Sequence, residues 1–393
     1  MNAAAGALAA AAVAALLFVP AGAQTPEPFV IDAFVSTSGP NSFNGRYTQE
    51  ALEVFEAYAN RTGGIRGRPI AFHFADDQSS PQVAVQLLAL AKARNPAIIV
   101  GSDAVATCGA MAPLVAQGPV MFCTSPGLDA PRGSYAFAST SSVKSLIEAV
   151  VHYFRARGIK RLALITATDA MGELSDRYVL EDVALPENRT LAMVAHERFN
   201  PAEITLGAQI ARLKAANPDA IMAWATGPAF GNVLHALHDA GVDVPVATSG
   251  GNGNPAQIKQ YASFLPTELL ITGLPQDLAP EQLGASPIRR AIDEYRNAFA
   301  AAGKTPSPGT SPYVWDPAAI VLNALRALGT NATSAQVRDY IAKLHDFVGM
   351  NGIYDFRIGD QHGVTSSSLV VTRWDPAAGV FRPVTGLGGN PLR

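Results

Sequence analysis

Apolar residues fall along this chain in two alternating rhythms: short unbroken runs, and stretches in which they recur every three or four positions. The first suits a strand buried on both faces and the second a helix with one buried side. The stretch from Asp76 to Pro126 shows both clearly. Ser79 and Ser80 can cap a helix that starts at Pro81, because proline suits a first turn whose N–H groups lack partners. Val83, Leu87, Leu90 and Ala91 then repeat at helical spacing. Asn95-Pro96 stops the helix, and Ile98-Ile99-Val100 follows as a buried run. Gly101 to Thr107 reads as a loop, a second helix begins near Thr107, and Val120-Met121-Phe122 is a second buried strand. This is α/β/α/β with short connections. Ligands in such sheets sit at the carboxyl ends of the strands, so Ser102–Thr107 and Thr124–Asp129 become candidate ligand loops.

The same alternation runs through the rest of the chain. Phe29–Val35 is a strand, Ser36–Gly45 a loop, and a helix runs through Asn60 with Leu52, Phe55 and Ala59 on one face. Phe137–Ser142 reads as a crossing segment. A second series begins at Arg161, with strands at 163–167, 190–196, 220–225 and 244–248 and a helix showing Leu206, Ile210 and Leu213. The segment Lys92-Ala93-Arg94-Asn95-Pro96 is echoed by Lys214-Ala215-Ala216-Asn217-Pro218, a weak sign of two lobes with one topology. Leu270–Pro275 returns the chain, helices follow at 288–301, 313–328 and 337–344, and 347–352 reads as a third crossing. The stretch from Tyr354 to Pro383 reads as strands, with Ser368–Thr372 the clearest. Three crossings make a hinge, and a hinged pair of lobes suits closure on a small ligand. Periodicity alone gives repeated α/β and no more.

A chain of 393 residues is too long for one ordinary core, so two domains are expected. Its 48% hydrophobic and 16% charged residues suit a compact soluble protein, and a net charge of −3 without a basic block argues against a nucleic-acid partner. Ala3–Val19 is apolar, and the small residues Ala21 and Ala23 fit signal-peptidase cleavage before Gln24, although no Lys or Arg precedes the run. The alternative is a membrane anchor. Export of a soluble chain without stable membrane insertion is the reading taken. Cys108 and Cys123 are the only cysteines. They stand either for a disulfide or for two buried small hydrophobes. There is no Gly-x-Ser-x-Gly elbow and no phosphate loop with lysine, so no catalytic constellation emerges. His235, His238 and Asp239 read as a solvated helix face rather than a metal site, and no metal or cofactor is expected.

Several segments together resemble the solute-binding proteins of branched-chain amino-acid ABC transporters. They are Gly63-Gly64-Ile65-Arg66-Gly67-Arg68-Pro69-Ile70, the acidic pair Asp76-Asp77, Ile98-Ile99-Val100-Gly101, the Ala112-Pro113 helix and the Ser125-Pro126 turn. They stand in the family's order, and the match covers nearly the whole mature chain. The resemblance implies an α/β fold of the type I periplasmic binding architecture: two doubly wound α/β lobes joined by a three-segment hinge. A signal peptide would occupy residues 1–23. The first lobe would take 24–141 plus 275–347, and the second 142–274 plus 348–393. It implies a monomeric, non-catalytic periplasmic receptor that binds a small amino acid, organic carboxylate or amide and delivers it to an inner-membrane ABC permease. A periplasmic sensor acting through a separate signalling partner is the alternative.

Carried over residue by residue, the resemblance nominates Ser42, Phe43 and Asn44 after the first strand. It nominates Ala106 and Thr107, then Ser125, Gly127 and Asp129, around a ligand carboxylate. From the second lobe it nominates Met171, Trp224, Thr226, Gly250 and Asn252. Amino-acid binders of the family place a glutamate near the position of Gly250 to pair with the α-ammonium, and this loop has none. A buried ammonium without a carboxylate partner is costly. Among the nominated residues only Asp129 is an acid. Either it takes that role or the ligand lacks an amine, and the second is the expectation.

Overall fold

Two parallel sheets of identical connectivity carry the chain in the computed structural model, which describes residues 26–138, 141–307, 311–358 and 360–392. The expected leader, residues 1–23, lies outside the described residues. The first sheet holds β1 (Phe29–Val35), β2 (Ile70–Asp76), β3 (Ile98–Val100), β4 (Val120–Cys123) and β5 (Ala136–Ala138). Their order is β2-β1-β3-β4-β5, and every neighbouring pair is parallel. Helices α1 (Ser42–Arg61), α2 (Pro81–Lys92) and α3 (Val105–Met111) connect them.

After α4 (Val143–Ala156) the pattern repeats. The strands are β6 (Arg161–Ala167), β7 (Ala192–Phe199), β8 (Ala220–Trp224), β9 (Val246–Thr248) and β10 (Leu269–Gly273), in the order β7-β6-β8-β9-β10 and again parallel. Between them lie α5 (Ala170–Val183), α6 (Gly207–Ala215), α7 (Pro228–Asp239) and α8 (Pro255–Gln260). In both sheets the strand order reverses beside the first strand. The crevice of a doubly wound sheet lies at that reversal. The loops after β1 and β3, and after β6 and β8, therefore border that crevice.

The chain then returns through α9 (Pro280–Leu283), α10 (Pro287–Ala301), α11 (Ser311–Leu328), α12 (Ser334–Lys343) and the hairpin β11 (Phe347–Val348) with β12 (Ile353–Tyr354). Side chains of α10, α11 and α12 share one core with β1, β3, β4 and α1. The pattern predicts a crossing at 347–352, but Met350, Tyr354, Phe356 and Val364 stay in that first-lobe core. Asp316 on α11 holds them there, accepting from the backbone N–H of Met350 (2.9 Å) and Asn351 (2.8 Å) and from the Tyr354 hydroxyl (3.0 Å). The crossing comes later, where Ser141 donates to the Thr365 carbonyl at 3.3 Å and ties two hinge segments together. Finally β13 (Val370–Asp375) and β14 (Val380–Pro383) add antiparallel beside β10.

Local signals work where the physics is local. Ser80 caps α2 by accepting from the Val83 N–H, with Pro81 in the first turn. The buried face of that helix differs from the expected one: Ala84, Leu88 and Ala91 face the core, while Leu90 is 65% exposed. Ala84, Leu88 and Ala91 share one core cluster with Phe34 and Ile99 of the sheet. Among the described residues no helix is long and apolar enough to cross a membrane.

Candidate functional site: the cleft between the lobes

The first turns of α1 and α5 lie hard against the ends of their strands, and glycine makes this possible. A Cβ on Gly45 would sit 2.0 Å from the Ser36 carbonyl oxygen, and one on Gly172 would sit 1.8 Å from that of Ala167. These approaches bring Ser42–Asn44 of one lobe opposite Ala170–Met171 of the other. Between them is a cavity of about 400 Å³ whose lining comes from both lobes.

The first-lobe wall is a connected polar network. Asp103, in the loop after β3, accepts from the Ser36 N–H (3.0 Å) and from Asn41 Nδ2 (2.9 Å). Asn44 Nδ2 donates to Asn41 Oδ1 at 2.9 Å. Behind them the fully buried Asp77 accepts from the Ser36 hydroxyl (2.7 Å) and the Ser79 N–H (2.9 Å), and Ser79 Oγ accepts from the Asn41 N–H. Burial pushes the Asp103 carboxyl up to about 7; the Ser36 hydrogen bond opposes this shift, and the neighbouring Asp77 charge adds to it.

The second-lobe wall is held by neutral groups. Gly227 sits at φ 59°, a conformation that favours glycine. Its N–H donates to Asn252 Oδ1 (3.3 Å), and its carbonyl accepts from the Tyr261 hydroxyl (3.2 Å). Asn252 Nδ2 donates in turn to the Ala225 carbonyl (2.8 Å) and Thr248 Oγ1 (2.9 Å). Asp169 caps α5 by accepting from the Gly172 N–H at 2.8 Å.

Of the nominated residues, Ser42, Phe43, Asn44, Ala106, Ser125, Met171 and Thr226 line the cavity. The others do not. Because α3 starts at Val105, Thr107 is already inside the helix, fully buried, with its hydroxyl bonded to Ser102 and the Ala104 carbonyl. Gly127 packs on the Val105 side chain. Trp224 is 1% exposed and lies in the second-lobe core, because β8 is buried on both faces. Asn252 stands behind the wall as its tether, and Gly250 donates to Thr272 Oγ1 at 3.0 Å, leaving Ser249 and Gly251 at the cavity.

Asp129 lies at the surface, where Arg177 Nη2 (2.7 Å) and the Tyr178 hydroxyl (2.8 Å) donate to it across the lobes. Partial burial raises its pKa, but those two hydrogen bonds outweigh the effect and hold it below its ordinary value.

The sequence reading passed over Asn41, Asp103, Asp169, Gln257, Tyr261 and Tyr313, all of which line the cavity. Asp103 was open to discovery, being an acid inside a candidate loop. Tyr261 and Tyr313 reach the cleft from distant segments and leave no local signal. Cys108 and Cys123 form a disulfide with Cα atoms 6.1 Å apart, joining α3 to the end of β4 beneath these loops. Among the described residues, no cluster of three or more His, Cys, Asp or Glu could hold a metal ion.

Comparison with known proteins agrees with this architecture. The family described as periplasmic binding protein matches residues 31–379. An extracellular ligand-binding receptor from Rhodopseudomonas palustris HaA2 superposes with a TM-score of 0.80 at 20% identity, over 91% of this chain and 99% of that one. The Streptococcus pneumoniae branched-chain amino-acid substrate-binding protein LivJ, in complex with isoleucine, gives 0.73 at 19% identity over 91% and 99%. A solute-binding protein of an R. palustris ABC transporter, in complex with benzoate, gives 0.74 at 16% identity over 93% and 98%. No curated protein matches the chain. Two sheets of one connectivity, a cleft at their strand reversals and a family match over most of its length lead to one conclusion: the chain belongs to the periplasmic binding protein family and has its type I fold.

Proposed function

We propose that this protein is an extracytoplasmic receptor that closes its lobes around one small organic solute and delivers it to an ABC permease. The observation that carries this reading is the cavity itself, about 400 Å³, walled by the strand-end loops of both lobes. That volume falls in the range of small-molecule sites and suits a solute of amino-acid or aromatic-acid size. Hydroxyls and amides of Ser42, Asn44, Ser125 and Thr226 offer hydrogen bonds, while Phe43 and Met171 offer apolar surface. Relatives of the same fold were solved with isoleucine and with benzoate, two solutes of this size. Residues 1–23 act as the export leader in this reading. The lobes already approach each other at the cavity, where a Cβ on Gly227 would lie 3.6 Å from the Pro40 carbonyl oxygen.

A thermal-shift screen of the mature chain against amino acids, aromatic acids, short-chain acids, amines and amides tests the proposal. A ligand that binds only the folded state raises the melting temperature. Small-angle scattering with a saturating hit should show a smaller radius of gyration. No stabilising solute in the screen, or chemical turnover of a bound one, overturns it.

A further inference from the structure

Charge around the cleft does not balance. Asp103 and Asp169 line it from opposite lobes, and among the described residues the lining includes no Lys, Arg or His. Asp77, directly behind Asp103, is fully buried, and its Oδ2 has no hydrogen-bond partner among the described residues. Some acids elsewhere meet cations, as Asp32 does Arg94, Glu268 Arg157, Glu197 Arg212 and Asp375 Arg382, whereas the buried Asp316 is met only by neutral donors outside any ligand cleft. None of Asp77, Asp103 and Asp169 has such a partner among the described residues. Taking a carboxylate out of water without a counter-charge is costly, and closing the lobes on a solute removes more of that water. A solute bringing only a negative charge would add to the imbalance. One bringing a positive charge would remove it.

Building on the receptor reading, we infer that the cleft selects a solute bearing a protonated nitrogen, an amine or amidine, placed between Asp103 and Asp169, over a solute that is only an anion. Asp103 is already aimed by Ser36 and Asn41, so the group that meets the nitrogen is fixed before the ligand arrives. Hydrogen bonds to charged groups are shorter and stronger than neutral ones, and two acids on facing walls reward closure. The ligand nitrogen therefore takes the place that the Gly250 loop leaves without an acid, but from the other lobe.

The experiment uses probes matched in shape that differ in charge: benzamidine against benzoate, and 3-methylbutylamine (a cation) and leucine (a zwitterion) against 4-methylpentanoate. Calorimetry on the mature chain should show each nitrogen-bearing probe binding at least about tenfold tighter than its acid partner. Asp103→Asn should weaken the nitrogen probes by about 5- to 150-fold and leave the acids unchanged or tighter. Asp103 also tethers Ser36 and Asn41, so a second variant guards against misfolding. Asp169→Ser keeps an oxygen for the Gly172 cap while removing the charge, and should shift the same selectivity in the same direction.

Tighter binding of the acids, or equal weakening of acids and amines by both variants, overturns the inference. If none of the five probes binds, the wider thermal-shift screen decides. A hit without a protonated nitrogen leaves the receptor standing and refutes the charge inference. No hit at all refutes the receptor reading, and the inference with it.

Discussion

Each lobe must hold several loops together at the carboxyl edge of its sheet, and the two lobes use different groups to do it. In the first, the Asp103 carboxylate grips the Ser36 N–H and the Asn41 side chain. In the second, the Asn252 amide accepts from Gly227 and donates to Ala225 and Thr248. A carboxylate can only accept, and it brings a charge; an amide accepts and donates and brings none. Connectivity is the same, so the difference is not imposed by topology. It gives the first lobe an acidic wall, ionised as pH rises through about 7 and braced by a disulfide, and the second an amide-tethered wall beside the Asp169 cap. One scaffold used twice thus yields two faces with different chemistry, as recognition of an asymmetric solute requires.

The equivalence of the scaffold is the part most sharply testable. Gly45 and Gly172 occupy matching places at the first turns of α1 and α5, each under a backbone oxygen of the preceding strand end. Gly45→Val and Gly172→Val should each cost about 3–5 kcal/mol or prevent folding, since backbone rather than a flexible side chain must yield. Denaturant unfolding of purified variants measures this. Tolerance at one site and collapse at the other would break the equivalence.

The disulfide is the next largest asymmetry. Cys108 and Cys123 are 15 positions apart, and closing a loop of that length contributes about 3 kcal/mol in the chain-entropy view. Replacing both with alanine should lower stability in denaturant by that order. Adding reductant to the variant should change nothing further. An unaltered midpoint would mean that the first-lobe wall stands on its hydrogen bonds alone.

How far the sequence discloses this asymmetry depends on the range of the forces involved. The α2 start is legible because Ser80 and Pro81 act within one turn. The buried strands β3 and β4 are legible because unbroken apolar runs have few alternatives. The third crossing is not, since what keeps Met350 and Tyr354 on the first lobe is a carboxylate, Asp316, more than thirty residues earlier. In the site, Thr226 is legible from its place at a strand end and Ser42 and Asn44 from the family resemblance, whereas Thr107 turns inward by its helical register and Trp224 sits on a strand buried on both faces.

Buried acids give a third contrast, smaller and dependent on pH. Burial raises Asp103 to about 7, and Asp277 and Asp316, packed on the first lobe or its hinge, to about 6. Asp182 of the second lobe rises to about 6 for the same reason. A carboxyl whose folded-state pKa is raised keeps its proton when the unfolded chain would release it. Its contribution is therefore full below about pH 4 and is lost as pH climbs through 6 to 7. The ligand-free protein should lose stability between pH 4.5 and 7.5. Calorimetric scans across that range check the sign; a melting temperature that rises instead would show these carboxyls to be ionised in the fold. Asp316→Asn should flatten the curve near pH 6 while lowering stability overall, because one of two backbone N–H groups then faces an amide NH₂.

The smallest effect expected separates the two acids of the first lobe. Asp129 and Arg177 are 60% and 48% exposed, and exposed pairs contribute at most about 1 kcal/mol. Because Asp129 joins Arg177 and Tyr178 of the other lobe, losing it should slightly favour the open form. Asp129→Asn should weaken benzamidine and benzoate alike, by less than about fivefold, and more weakly still at high salt. Asp103→Asn should instead separate the two probes by their charge. The distinction is one of mechanism as well as size, since a change in lobe closure acts on every solute and a counter-charge acts on one sign. Calorimetry with both probes at low and high salt tells them apart. If Asp129→Asn selectively weakens benzamidine and Asp103→Asn does not, the charged end of the solute lies at the mouth of the cleft beside Arg177, and the first-lobe wall is only a tether.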